Sequence, residues 1–174
     1  RVHKICVAYP GLERFFPKDK IHFTGNPIRS EIEYGNPSKE ESLASYCFTK
    51  HKTTVLVIGG SLGALRINET ILENSEWFKQ NDIQLIWQTG NLYYDRCKLA
   101  QAKLGVNGQI RAFISDMSQA FAASDIVISR AGAIAISELS SLGKTCILIP
   151  SPNVAEDHQT KNALSLADKN AAVL

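Results

Sequence analysis

Five short β-rich runs, each followed by a longer stretch with helical spacing, constrain this chain more than any other feature. The runs are Thr53 to Ile58, Ile83 to Gln88, Gln109 to Phe113, Ile126 to Ser129 and Thr145 to Ile149. Their β-branched content and length predict strands. Helices are expected at Leu62 to Phe78, Leu92 to Leu104, Met117 to Ala123, Ala133 to Leu142 and Glu156 to Lys169. Strict alternation of this kind implies crossover connections and a parallel sheet. Runs such as "VLVI", "IVIS" and "CILI" are apolar at every position, as strands covered on both faces must be. The expected fold class is therefore α/β, a Rossmann-like parallel sheet with helices on both faces.

The opening segment differs. "KICVAY" and "IHFTGNPIR" read as strands, while "PGLERFFPKDK" between them is irregular and basic. Residues 1–24 are expected to be the end of a preceding domain with its linker, and residues 25–174 a nucleotide-binding domain. A short helix at Lys39 to Tyr46 is expected, opened by Ser38 with Glu41 three residues on, a capping-box pattern. The chain starts with Arg and ends on "KNAAVL", which looks like a strand just beginning, so it is expected to be a fragment of a longer protein.

Composition removes several classes of function. A net charge of +2, with no block of Lys or Arg interleaved with aromatics, gives no support for a nucleic-acid partner. No apolar run approaches the roughly 18 residues of a membrane span, and no secretory signal opens the chain, so a cytoplasmic location is expected. Cys6, Cys47, Cys97 and Cys146 are widely spaced without a CxxC pair, and His3, His22, His51 and His158 are scattered. Free thiols and no metal site are expected.

Two strand–loop–helix junctions can carry chemistry. In "GGSLGA", Gly59 to Ala64, glycines permit a sharp turn and the following helix start favours a phosphate, with Ser61 as a further donor. A tight turn without ligand is the alternative for this loop taken alone. Gly59, Ser61 and Ala64 fit only the first glycine of the dinucleotide fingerprint, which disfavours a nicotinamide cofactor, and the Lys-Ser/Thr pair of a P-loop is absent. The second junction runs from Ile126 through Arg130, Ala131 and Gly132 into a helix of small residues carrying Glu138. One acid just inside a helix start suits the adjacent hydroxyls of a ribose, although a lone Glu is more commonly a solvated helix residue. Together the junctions suggest a nucleoside diphosphate lying across the carboxyl ends of the strands.

"TGNPIR", "GGSLGALRIN", "FISDM", "SRAGAIAISEL" and "DHQTKNA", in this order, resemble the donor-binding half of the MurG family. These bacterial peptidoglycan enzymes transfer N-acetylglucosamine to undecaprenyl-pyrophosphoryl-N-acetylmuramyl-pentapeptide. The resemblance covers nearly the whole chain from Gly25 onward. It implies the carboxy-terminal half of a GT-B glycosyltransferase that binds UDP-N-acetylglucosamine for inverting transfer to lipid I, forming lipid II. It further implies that Arg29 and Ser61, with Gly60 and Gly63 beside them, meet the diphosphate and sugar side of the donor, and that the Ile114 backbone meets uracil. Ala133, Ile134, Ala135, Ile136, Ser137 and Glu138 would wrap phosphate and ribose, with Glu138 taking the ribose hydroxyls. Gln159, with His158 beside it, would approach the sugar; His158 stands where some members carry a second Gln. No cofactor and no metal are implied.

In this family the catalytic base and the lipid I site belong to an amino-terminal domain, so the chain alone is expected to bind donor without turnover. Membrane contact is expected only in the full-length protein, as a peripheral enzyme on the cytoplasmic face of the inner membrane. The competing readings are another GT-B enzyme, a UDP-sugar epimerase, or a non-catalytic nucleotide-binding module.

Overall fold

The computed structural model describes residues 2–35, 37–105 and 107–174. Strands form where the sequence supplies runs that two apolar layers can cover. β1 (Ile5–Val7) and β2 (Ile21–Phe23) pair in parallel, separated by two 3-10 turns, Leu12–Arg14 and Lys18–Lys20. Two short helices follow, α1 (Ser30–Glu33) and α2 (Lys39–Ser45). The Ser38 hydroxyl caps α2 by accepting from the Glu41 N–H and also donates to the Glu41 carboxylate at 2.8 Å. The rest alternates: β3 (Thr54–Ile58), α3 (Leu65–Glu73), α4 (Ser75–Gln80), β4 (Gln84–Gln88), α5 (Tyr94–Leu104), β5 (Gly108–Arg111), α6 (Met117–Ala123), β6 (Ile126–Ser129), α7 (Ala133–Ser141), β7 (Thr145–Leu148) and α8 (His158–Ala167).

The five strands from β3 onward form one all-parallel sheet in the order β5-β4-β3-β6-β7. Val173 bridges Ile147 in parallel beyond β7, where the final residues read as the start of a strand. Side-chain alternation along each strand splits the core in two. Val55, Val57, Leu85 and Trp87 pack with Ile67, Ile71, Phe78 and Cys97 from α3, α4 and α5. Leu56, Ile86, Val127, Cys146 and Leu148 pack on the other face with Met117, Phe121, Ile136, Leu139 and Ala163 from α6, α7 and α8. Burying one such Leu or Val contributes roughly 1.5–3 kcal/mol, and two layers require the continuous apolar runs that the sequence displays.

The helix expected from Leu62 to Phe78 is two helices. It starts at Leu65, because the glycine loop continues further than its pattern suggests, and it breaks at Asn74, whose φ of −101° and ψ of 14° leave helical geometry. The Asn74 amide returns to the Thr70 carbonyl at 2.9 Å and satisfies part of the break. The helix expected from Glu156 opens instead with a 3-10 turn, Ala155–Asp157, in which Glu156 and Asp157 have φ of 54° and 51°. α8 therefore begins at His158.

This order places the topological switch between β3 and β6. Chain leaving β3 passes to one face of the sheet and chain leaving β6 to the other, which opens a crevice at their carboxyl ends.

Candidate functional site

The crevice is an open cleft of about 1040 Å³ bounded by the loops after β3, β6 and β7. α3 and α7 both start on it, with Ala64 and Gly132 as N-caps and no side-chain cap on either. α2 and α6 are capped by the Ser38 and Asp116 side chains, whereas α1, α4, α5 and α8, like α3 and α7, have no side-chain cap. The first-turn N–H groups of α3 and α7 meet no capping side chain and open on the cleft, where their partial positive charge favours an anion. Arg29, Arg66 and Arg130 line the same cleft, against Glu138 as its acid among the described residues.

The glycine loop is held by interlocking backbones. Gly60 and Gly63 have φ of +87° and +79°. A Cβ on Gly63 would lie 1.9 Å from the Thr89 carbonyl oxygen, and one on Gly90 would lie 2.2 Å from that of Leu62. The loops after β3 and β4 therefore touch through glycines. Asn68 of α3 locks this contact: its amide donates to the Thr89 carbonyl at 2.9 Å and accepts from the Trp87 indole at 3.0 Å.

The structure brings most of the sequence-derived positions together. Arg29, Gly60, Ser61, Gly63, Ile114, Ile134, Ala135, Glu138 and Gln159 line the cleft. Ala133, Ile136, Ser137 and His158 are not part of its wall. The helical period divides the Ala133–Glu138 stretch. Ile136 is buried in the core, while Ser137 accepts from the Asn26 amide at 3.0 Å and donates to the Ala133 carbonyl at 2.9 Å. His158 is exposed at the start of α8. The Gln159 side chain accepts from the Ser151 N–H at 2.9 Å and so holds the loop after β7.

Two expectations change in detail. Arg29 and Glu138, read as contacts to different parts of a ligand, bind each other: Nε to Oε1 at 2.8 Å and Nη2 to Oε2 at 3.2 Å. The Glu138 side chain is 2% exposed and Arg29 41%, so a buried acid takes its counter-charge from the segment preceding α1. The Ile114 N–H, part of the backbone expected to meet a base, is taken by the Gln88 side chain at 2.8 Å.

Sequence reasoning gave no role to the side chains of Gln88 and Arg130. Arg130 donates through Nη1 to the carbonyls of Ile149 and Pro150 at 3.2 and 2.8 Å, and burial pushes its pKa below the usual guanidinium value. Gln88 donates to the Gly60 carbonyl at 2.9 Å. The available signal was position: each is a polar residue directly at the carboxyl end of an apolar strand run. Among the described residues no group of three or more His, Cys, Asp or Glu side chains could hold a metal ion, and no helix is long and apolar enough to cross a membrane.

Comparison with known proteins gives a consistent result. The model of the glycosyltransferase family 28 C-terminal domain matches residues 54–174. The UDP-N-acetylglucosamine–N-acetylmuramyl-(pentapeptide) pyrophosphoryl-undecaprenol N-acetylglucosamine transferase of Parabacteroides distasonis is 53% identical, over 100% of this chain and 48% of its own length. The transferase of the same description from Flavobacterium psychrophilum is 48% identical, over 100% of this chain and 47% of its own length. The chain thus spans about half the length of the curated relatives it matches. The crystal structure of Acinetobacter baumannii MurG superposes with a TM-score of 0.69 at 25% identity, over 97% of this chain and 45% of that one. WaaG, a glycosyltransferase involved in lipopolysaccharide biosynthesis, shares the fold at 16% identity and a TM-score of 0.54, over 87% of this chain and 53% of its own.

Proposed function

We propose a function for this chain from one premise: it belongs to the glycosyltransferase family 28 C-terminal domain family. It binds UDP-N-acetylglucosamine in the switch-point cleft and serves as the donor half of an enzyme that transfers N-acetylglucosamine to the lipid-linked acceptor lipid I, forming lipid II. The observation that carries this reading is the pair of uncapped helix starts, α3 and α7, on one cleft with three arginines and a buried acid. A diphosphate suits the first two features and a ribose diol the third. The names of the relatives supply the sugar and the acceptor.

In the reaction, an acceptor hydroxyl attacks the anomeric carbon as its proton passes to a base. The bond from that carbon to the diphosphate oxygen breaks, and UDP leaves with the electron pair. The helix starts of α3 and α7 face the charge that grows on the leaving diphosphate, where preorganised dipoles stabilise a transition state most. Base and acceptor site are assigned to the half of the relatives' length that this chain does not cover. Residues 1–24, whose β1 and β2 form a separate two-stranded parallel sheet, are assigned to the end of that acceptor domain. The enzyme is placed at the cytoplasmic face of the membrane that holds its acceptor.

Calorimetric titration with UDP-N-acetylglucosamine, UDP-N-acetylgalactosamine, UDP and NADH tests the reading. Uridine nucleotides are expected to bind, with the N-acetylglucosamine form preferred and the heat abolished by Glu138→Ala. Heat from NADH with none from the uridine ligands refutes the reading in favour of a dinucleotide site.

A further inference from the structure

Gln88 ends β4, the strand between β3 and β5, and is 3% exposed. Its side chain joins the loops that leave those two neighbours. Nε2 donates to the Gly60 carbonyl at 2.9 Å, and Oε1 accepts from the Ile114 N–H at 2.8 Å. The partners fix the amide's orientation, because a carbonyl only accepts and a backbone N–H only donates. Neither bond belongs to the sheet ladder, and each holds a loop residue on the wall of the cleft.

We propose that Gln88 is a positioning residue that ties the glycine loop to the base-side loop and thereby sets the preference for uracil. The proposal rests on the reading of the cleft as a uridine nucleotide site. With its N–H held by Gln88, Ile114 has its carbonyl, an acceptor, as the backbone group left for a base. An acceptor complements the N3–H of uracil and opposes the unprotonated N3 of cytosine. Loss of Gln88 takes away the hydrogen-bond partner of the buried Ile114 N–H, and with it the bond that fixes the orientation of this loop. The base contact is lost with it. The other arm acts on a different part of the ligand: the Gly60 carbonyl fixes the turn that aims the start of α3.

UDP and CDP share ribose and diphosphate and differ only at the base edge, so the ratio of their affinities reads the base contact alone. Gln88→Met keeps the length of the side chain and removes both hydrogen bonds. Gln88→Glu keeps an acceptor for the Ile114 N–H and loses the donor to Gly60. Calorimetry on wild type and both variants, with circular dichroism melting to establish folding, is expected to give three results. Wild type prefers UDP to CDP. Gln88→Met weakens UDP by about tenfold or more and brings the two nucleotides to near parity, whereas Gln88→Glu weakens both nucleotides by about tenfold and keeps the preference.

A folded Gln88→Met that keeps the wild-type preference overturns the proposal, as does a Gln88→Glu that loses it; in either case the nucleotide reading stands. Wild type that binds neither UDP nor CDP defeats the nucleotide reading and this proposal with it. Should Gln88→Met fail to fold, Gln88→Ala, which also removes both hydrogen bonds, takes its place with the same readings: near parity of UDP and CDP supports the proposal, and the wild-type preference overturns it.

Discussion

Alanine at Gly63 tests whether the glycine loop is shaped by contact or only by backbone angle, because Gly60, three residues earlier, provides an internal control. Both have left-handed φ, +79° and +87°. An L-residue in that region costs roughly 1–2 kcal/mol. At Gly60 nothing lies within 4 Å of an added Cβ, so the angle is the whole cost. At Gly63 the Cβ would sit 1.9 Å from the Thr89 oxygen and 2.7 Å from the Thr89 carbon. These are backbone atoms, and no rotamer change relieves them. The Thr89 carbonyl also receives the buried Asn68 amide, so moving it disturbs a second bond. Overpacking typically adds about 1–3 kcal/mol, which brings Gly63→Ala to about 2–5 kcal/mol. For a chain of this length that is a fall in Tm of roughly 4–20 °C, against about 2–8 °C for Gly60→Ala. Thermal and urea unfolding followed by circular dichroism measures both. Equal losses in the two variants would sink the argument, since they would mean that the loops after β3 and β4 do not interlock through Gly63.

Two further perturbations probe charge. Arg29→Ala removes the counter-charge of an acid that is 2% exposed; because Arg29 itself is 41% exposed, the loss is about 1–3 kcal/mol rather than that of a fully buried pair. Urea unfolding is expected to show part of that loss recovered in Arg29→Ala/Glu138→Gln, and strict additivity would contradict the pairing. At the opposite end of the sheet, burial raises the Asp125 pKa, but hydrogen bonds from Lys39 and the Thr54 N–H, with the Lys39 and Lys144 charges, hold it below the ordinary carboxylate range. A folded-state pKa below the unfolded one stabilises the fold above the unfolded value and loses that contribution as pH falls through the folded one. The stability gap between wild type and Asp125→Asn should therefore be full at neutral pH and close as pH drops below about 4. A gap that stays constant from neutral pH to pH 2 would refute the assignment.

The fold was legible because its strands are buried on both faces: Val55 to Ile58 and Ile126 to Ile128 are apolar at every position, and such runs alternating with helical stretches suit a parallel sheet covered on both sides. The break at Asn74 was not legible, because residues on both sides of it keep an apolar face against the same layer, Ile71 before and Phe78 after. The two junctions that line the cleft were visible through glycine and small-residue content. The side chains that hold them were not. Gln88 and Arg130 act across 26 and 19 residues of sequence, on Ile114 and Ile149, and only the order of strands brings those segments together. The Arg29–Glu138 pair spans 109 residues and was hidden for the same reason, although each partner had been singled out separately.

That pair bears on how a ribose would be received. A buried carboxylate without a partner costs several kcal/mol, so Glu138 cannot wait for its ligand as a bare charge. Arg29 solves this by giving one N–H to each carboxylate oxygen. A carboxylate offers about four acceptor sites, two on each oxygen, and the guanidinium uses one on each. Two sites remain, the number that a ribose diol fills with its hydroxyls. In the proposed reading the diol therefore has no need to displace Arg29; it completes an acid that the arginine has already oriented. The segment that carries Arg29 is fastened to α7 a second time, through the Asn26 amide to Ser137, and Asn26 also reaches the Tyr9 hydroxyl at 3.3 Å. Orientation of the Glu138 carboxylate is in this way tied to residues ahead of the first helix, and in the proposed reading a displacement of the opening segment against α7 would act directly on the group that meets the ribose.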